Sequence, residues 1–133
     1  MRDTLVLFIR ADQHGVFRQR MSRYTELEPG EHFRYYSQGD CVFGASETDV
    51  LADYDDEELA TVRLRLGGFR SVLIEYASME CLRDLLEYLL PGLDGIIDTN
   101  YDSFASFDKT LLWLAANPGR RLRQDPPNDI PFP

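Results

Sequence analysis

Residues 5–9 read Leu-Val-Leu-Phe-Ile, and this uninterrupted apolar run decides how the fold is organised. The run has the length of a strand, and apolar side chains at every position are typical of a strand buried on both faces. Such a strand lies inside a sheet rather than at its edge. No apolar run in the sequence approaches the roughly 18 residues that cross a bilayer, so we expect no membrane partner.

Four further segments predict strands around this central one. Residues 33–36 and 41–45 are short, weakly alternating runs separated by the turn residues 37–40, which indicates a hairpin. Residues 71–77 and 95–99 each contain a short apolar run and are bounded by turn signals, which predicts two more strands. Residues 14–17 are a candidate for the start of an edge strand.

Three segments predict helices. Residues 79–90 follow the capping residue Ser78 and carry a leucine stripe at helical spacing, and residues 107–116 follow Ser106 in the same way. Residues 56–66 begin with acids and stop at a pair of glycines, as helices do. A hairpin is the competing interpretation, because residues 62–66 alternate cleanly, but both ends match a helix better.

This order of elements predicts an α+β fold. We expect a four- to five-stranded, mostly antiparallel sheet with two or three helices packed on one face. The length of 133 residues fits one globular domain, which we assign to residues 1–119. Residues 120–133 form a proline-rich C-terminal tail, either disordered or pinned along the surface.

Negative charge is concentrated in residues 26–58. This stretch holds eleven acids and a single base, Arg34, for a net charge of −10, whereas the whole chain carries −9. A domain that tolerates such self-repulsion either solvates the segment or directs it at a cationic partner. Nucleic acid is excluded as a partner because binding phosphates needs a basic surface. The sequence therefore predicts an acidic protein-binding surface.

No catalytic or metal-binding motif stands out. His14 and His32 lack a second ligand at metal-binding spacing and are interpreted as surface histidines. The acids of residues 49–60 fit no calcium loop. Such a loop needs glycine at its sixth position, and neither of the two possible alignments of the loop with these acids places one there. Cys41 and Cys81 belong to no C-x-x-C pair, so we expect two buried thiols. With no signal peptide at the N-terminus, this predicts a cytoplasmic protein without a cofactor.

The acidic surface is expected to include tyrosines. Residues 98–102 follow a strand and either form Asx turns or extend the acidic patch. Tyr54 and Tyr101 would anchor a partner, since tyrosine is amphipathic and loses little rotamer entropy, whereas Trp113 is expected in the core. The predicted partner-binding residues are Glu47, Asp49, Asp53, Tyr54, Asp55, Asp56, Glu57, Asp98, Tyr101 and Asp102.

Residues 55–116 resemble a known family. The acidic helix start at residues 55–59 runs to Leu66-Gly67-Gly68, followed by the strand at 71–76, a leucine-rich helix, Gly95-Ile96-Ile97-Asp98, Asp102 and a last helix. This pattern is similar to small immunity proteins encoded beside bacterial polymorphic toxins. The resemblance implies a non-enzymatic protein that binds and blocks one cognate toxin.

The leading hypothesis is therefore an immunity or inhibitor protein, monomeric or homodimeric, that docks its acidic surface on a basic cleft of a protein toxin. The alternative is an acidic structural or adaptor domain that self-associates or scaffolds another protein. A small enzyme or ligand-binding domain with a pocket lined by acids is a third interpretation.

Overall fold

The computed structural model describes residues 3–25 and 34–131, and within them the chain forms one six-stranded sheet and four α-helices. The strands are β1 (Asp3–Arg10), β2 (Arg34–Gln38), β3 (Cys41–Ser46), β4 (Phe69–Tyr76), β5 (Gly95–Asp98) and β6 (Phe104–Ser106). The helices are α1 (His14–Thr25), α2 (Asp56–Leu66), α3 (Met79–Leu89) and α4 (Phe107–Ala116). No helix in these ranges is both long and apolar enough to cross a membrane.

The apolar run at residues 5–9 lies in the middle of the sheet, as predicted. The strand order is β2-β3-β4-β1-β5-β6, and all neighbouring strands are antiparallel. β1 pairs with β4 along its whole length, from Asp3 opposite Tyr76 to Arg10 opposite Phe69, and with β5 on its other side. Leu7 and Phe8 point to opposite faces and are both fully buried, so each face of the sheet carries a core.

The α+β class is confirmed. The prediction had too few strands and helices, and it placed all helices on one face of the sheet. Helices α1, α3 and α4 cover one face, and α2 packs on the opposite face with the short 3-10 turn Val50–Asp53 and Ile130 from the tail. The sixth strand, β6, was missed because three residues are too few to show a period. No local pattern indicates that α2 packs on a different face from the other helices, since that depends on which sheet face its connections reach.

The predicted edge strand at residues 14–17 is wrong, because these residues begin helix α1. Phe17, Met21 and Thr25 are buried at four-residue intervals, which forms a narrow helical stripe in an otherwise polar segment. A window of four residues cannot reveal that spacing. Phe33, placed in a strand by the sequence, lies outside the described residues, whereas the hairpin of β2 and β3 is confirmed.

Helix α2 is confirmed over the competing hairpin, and its ends explain why. The backbone N–H of Glu58 donates to Asp55 Oδ1 at 2.8 Å, and the N–H of Asp55 donates to Glu58 Oε1 at 3.1 Å. This reciprocal capping box satisfies two donors at the helix start. Gly67 ends the helix with φ of +70°. The alternation that suggested a strand was misleading, since Leu64 is 88% exposed.

The tail is pinned to the domain rather than loose across its described part. Leu122 and Ile130 are buried, and Ile130 bridges to Phe104 of β6. Trp113, buried as predicted, donates from Nε1 to the carbonyl oxygen of Asp125 at 2.6 Å. The tail therefore completes the core next to β6.

The expectation of two free thiols is wrong, because Cys41 and Cys81 form a disulfide. The bond joins the start of β3 to the first turn of α3, with Cα atoms 5.6 Å apart. The two cysteines are 40 residues apart in the sequence, so no local motif indicates that they pair. Reduced thiols were part of the argument for a cytoplasmic location, and that part no longer holds.

Candidate functional site: an acidic pocket beside α2

A pocket of about 240 Å³ opens on the α2 face of the sheet. It lies between the segment that leads into α2 and the turn that follows β5. Strands β1 and β4 supply its sheet side. The lining residues are Thr4, Val50, Asp53, Tyr54, Glu58, Leu73, Asp98, Asn100 and Asp102.

Tyr54 is held in the pocket by the turn that precedes it. Its backbone N–H donates to Leu51 O at 3.1 Å, and Leu51 itself packs on the core of this face. The tyrosine ring meets Phe8 of β1 edge-on, with centroids 5.3 Å apart. This packing aims the hydroxyl at the end of β5.

Asp98 accepts a hydrogen bond from the Tyr54 hydroxyl. Tyr54 Oη donates to Asp98 Oδ2 at 2.5 Å, and the backbone N–H of Asn100 donates to Asp98 Oδ1 at 2.8 Å. Asp98 is only 8% exposed and is fixed by pairing with Val6 on one side and Phe104 on the other. Burial, and then the hydrogen bond to Asp98, raise the pKa of Tyr54 far above its usual range. Tyr54 is therefore a neutral donor at physiological pH.

The turn after β5 serves both of the roles that the sequence left open. The bond from Asn100 N–H to the Asp98 side chain, two residues earlier, is an Asx turn, which confirms that interpretation. Asn100 and Asp102 adopt positive φ angles of 69° and 54°, which asparagine and aspartate tolerate better than most residues. The same turn brings Asp102 to the rim of the pocket.

The charged residues that line the pocket are all acidic in the described part of the chain. Four of its nine described lining residues are carboxylates, Asp53, Glu58, Asp98 and Asp102, and none of these nine is basic. Among the described residues, the acids of positions 53–58 form no ion pair with an arginine, lysine or histidine. Carboxylates that converge in a concave, partly dry site produce a negative potential that favours a cation.

In the described ranges, no group of three or more histidine, cysteine, aspartate or glutamate side chains is placed to hold a metal ion. The four carboxylates of the pocket lie at several points of its wall, where they can contact a larger cationic group.

The structure divides the predicted partner-binding residues into groups. Asp53, Tyr54, Asp98 and Asp102 meet in the pocket. Asp55, Asp56 and Glu57 lie beside it at the exposed start of α2, and Asp49 is exposed just before Val50.

Glu47 and Tyr101 lie elsewhere. Glu47 contacts His14 Nε2, and Arg18 Nε lies 3.6 Å from its other carboxylate oxygen, so this acid is compensated within the fold. His14 is thus half-buried in contact with Glu47 and is not a free surface histidine, whereas His32 lies outside the described residues. Tyr101 packs against the core of the α1, α3 and α4 face, and its hydroxyl donates to Asp3 at 3.4 Å.

The list of predicted partner-binding residues lacks five residues that line the pocket: Thr4, Val50, Glu58, Leu73 and Asn100. Glu58 had a usable signal, since an aspartate followed three residues later by glutamate before a helix is the capping-box pattern. Thr4 and Leu73 had none, because they reach the pocket only through the pairing of β1 with β4.

No protein-family model matches this chain, and no curated protein or solved structure matches it either.

Proposed function

We propose that this protein is a non-enzymatic immunity or inhibitor protein that binds a cognate bacterial toxin through the acidic pocket and the neighbouring start of α2. The observation that carries the proposal is a pocket with four carboxylates and no basic residue among the lining residues that the structure describes. A basic residue at the edge of a toxin's cleft would enter this pocket. Asp98 and Tyr54 would then form its floor, and Asp53 and Asp102 its rim.

Charge supports this proposal through the rate of encounter. A net charge of −9, with ten negative charges in excess over residues 26–58, gives the molecule a negative field. Such a field accelerates association with a basic partner and does so less as salt rises. The resemblance to small immunity proteins, which spans α2 to α4, points to the same class of partner.

The test is protection of cells from the toxin domain encoded next to this chain in its host. Wild-type protein is expected to restore growth when the two are produced together. The double variant Asp53→Asn/Asp102→Asn should lose protection and bind at least about tenfold more weakly. The matched control is Glu80→Gln/Glu87→Gln, which removes two exposed charges from α3 on the other face and should protect like the wild type.

A salt series separates steering from other contributions. Association of wild-type protein with the toxin should slow on the order of tenfold from low to physiological salt, and less for the pocket variant. A rate that does not change with salt, or equal losses in pocket and control variants, contradicts the proposal.

The alternative function, a self-associating adaptor, stays a prediction. Leu64 on α2 and Leu112 on α4 are the most exposed large apolar side chains of the described residues, but their helices lie on opposite faces of the sheet. Single exposed leucines are ordinary and do not form a patch. Light scattering that gives a concentration-independent monomer mass would contradict self-association.

The compartment of the encounter is also a prediction. The sequence predicts the cytoplasm, whereas the Cys41–Cys81 bond speaks against it because disulfides are rare in reducing compartments. Host cells treated with a thiol-blocking reagent before fractionation decide the matter. A blocked, reduced pair in the cytosolic fraction agrees with the sequence, and an oxidised pair in an exported fraction contradicts it.

A further inference from the structure

One end of the β2–β3 hairpin projects beyond the rest of the sheet. Within the described ranges, β2 is an edge strand that pairs only with β3, and β3 pairs with β4 only through residues 43–46. Residues 37–40 are exposed, as is Val42. The strand pairing of Gln38 with Cys41 therefore lies past the last β3–β4 pair. We call residues 37–42 the hairpin end.

The disulfide ties this hairpin end to a firmly held helix. Cys81 lies in the first turn of α3, where its backbone N–H donates to the capping side chain of Ser78. Four leucines of α3 are almost fully buried, so the helix is fixed to the sheet without help from the bond. Cys41, in contrast, belongs to the hairpin end.

The base of the hairpin has its own support. Phe43 and Ala45 are buried in the core, and the Phe43 ring packs near Tyr24, which in turn contacts Tyr88 of α3. These contacts do not depend on Cys41 or Cys81. Breaking the bond would therefore release the hairpin end and leave residues 43–46 in place.

We propose that the Cys41–Cys81 bond is a redox-sensitive clasp: oxidation fixes the hairpin end on α3, and reduction releases that end while the rest of the sheet stays folded. Both cysteines are half-buried, which leaves the bond open to exchange with small thiols. In the closing step each thiol gives up one proton and one electron, and an S–S bond forms. A disulfide oxidant, such as oxidised glutathione, accepts the two protons and two electrons and is cleaved into two thiols.

The clasp is tested by hydrogen exchange on the full chain, oxidised and after treatment with dithiothreitol. Alkylation and intact mass count the free thiols in each sample. We expect a peptide covering residues 37–42 to exchange at least roughly tenfold faster after reduction, because local opening no longer strains a covalent link. Peptides from β1 and β4 should exchange at unchanged rates.

The variant Cys41→Ser/Cys81→Ser is the matched control. It should exchange like the reduced wild type and should not respond to dithiothreitol. Equal rates in oxidised and reduced protein would overturn the proposal, since the bond then holds nothing in place. A bond that resists dithiothreitol in the folded protein would overturn it as well. Faster exchange throughout the sheet, or a serine variant that does not fold, would show a staple for the whole fold and not a local clasp.

Discussion

Replacing Tyr54 by phenylalanine removes a single hydroxyl group and tests how the acidic pocket is built. The hydroxyl donates to Asp98 Oδ2 at 2.5 Å, and Asp98 is 8% exposed. Phenylalanine keeps the ring that packs edge-on against Phe8. The substitution therefore changes one hydrogen bond and leaves the packing in place.

The size of the effect follows from what Asp98 retains. A hydrogen bond to a charged group contributes about 1.5–3 kcal/mol, and a buried acceptor that loses its partner costs a similar amount. Asp98 keeps the bond from the Asn100 N–H, and water in the pocket can replace part of the loss. We expect Tyr54→Phe to lower the free energy of unfolding by about 1.5–2 kcal/mol.

Urea unfolding measures this difference. With an m-value near 2 kcal/mol/M, the midpoint should fall by roughly 0.8–1 M at unchanged m. The double-mutant cycle with Asp98→Ala isolates the pair, and its coupling energy should exceed about 1 kcal/mol. Tyr88→Phe is the matched control: Tyr88 is 42% exposed, and its change should stay within about 0.5 kcal/mol.

A coupling energy near zero would refute the reasoning. The hydroxyl would then contribute through burial or the denatured state and not through Asp98. An unchanged midpoint for Tyr54→Phe would show that water replaces the hydroxyl completely.

Three further predictions concern the packing, the ionisation and the helix ends. A Cβ at Gly95 would lie 2.2 Å from ring carbons of Phe107, so Gly95→Ala should lower the unfolding free energy by about 3 kcal/mol or more, measured by urea unfolding; a loss under about 1 kcal/mol contradicts this packing. Burial raises the pKa values of Tyr54 and Tyr76 in the folded state, whereas in the unfolded chain both ionise near pH 10. Above that pH the unfolded state holds fewer protons, so stability should fall by at most about 1.4 kcal/mol per pH unit and tyrosine, and Tyr54→Phe should make the decline less steep. Asp55→Ala removes the α2 cap and should lower the unfolding free energy by about 1 kcal/mol; an unchanged thermal midpoint would show that the capping box contributes nothing.

The prediction of elements succeeded where the signal is local. The apolar run at residues 5–9 predicted a central strand, and Ser78 and Ser106 marked the helix starts that the structure confirms. Caps and turns act between residues three or four positions apart, so a short window contains all the groups involved. Helix α1 was not predicted, because its buried stripe is narrow and its first residues resemble a strand.

The candidate site was predicted as a list of residues and not as a site. Acidic and aromatic residues at 53, 54, 98 and 102 were named, but the list also included Glu47, which the fold compensates with His14 and Arg18. The charges along the chain give the total negative charge that contributes to the electrostatic potential. Which acids converge depends on the distance between loops that the sheet brings together.

By itself, the sequence determined the α+β class, the central strand, the capped helices α2 to α4 and the excess of negative charge, because each depends on neighbours along the chain. The tertiary structure alone decided that α2 crosses to the other face, that Cys41 bonds Cys81 over 40 residues and that Tyr54 reaches Asp98 over 44. The physical reason is that strand pairing and layer packing create proximity between distant residues, and local patterns carry no measure of that proximity.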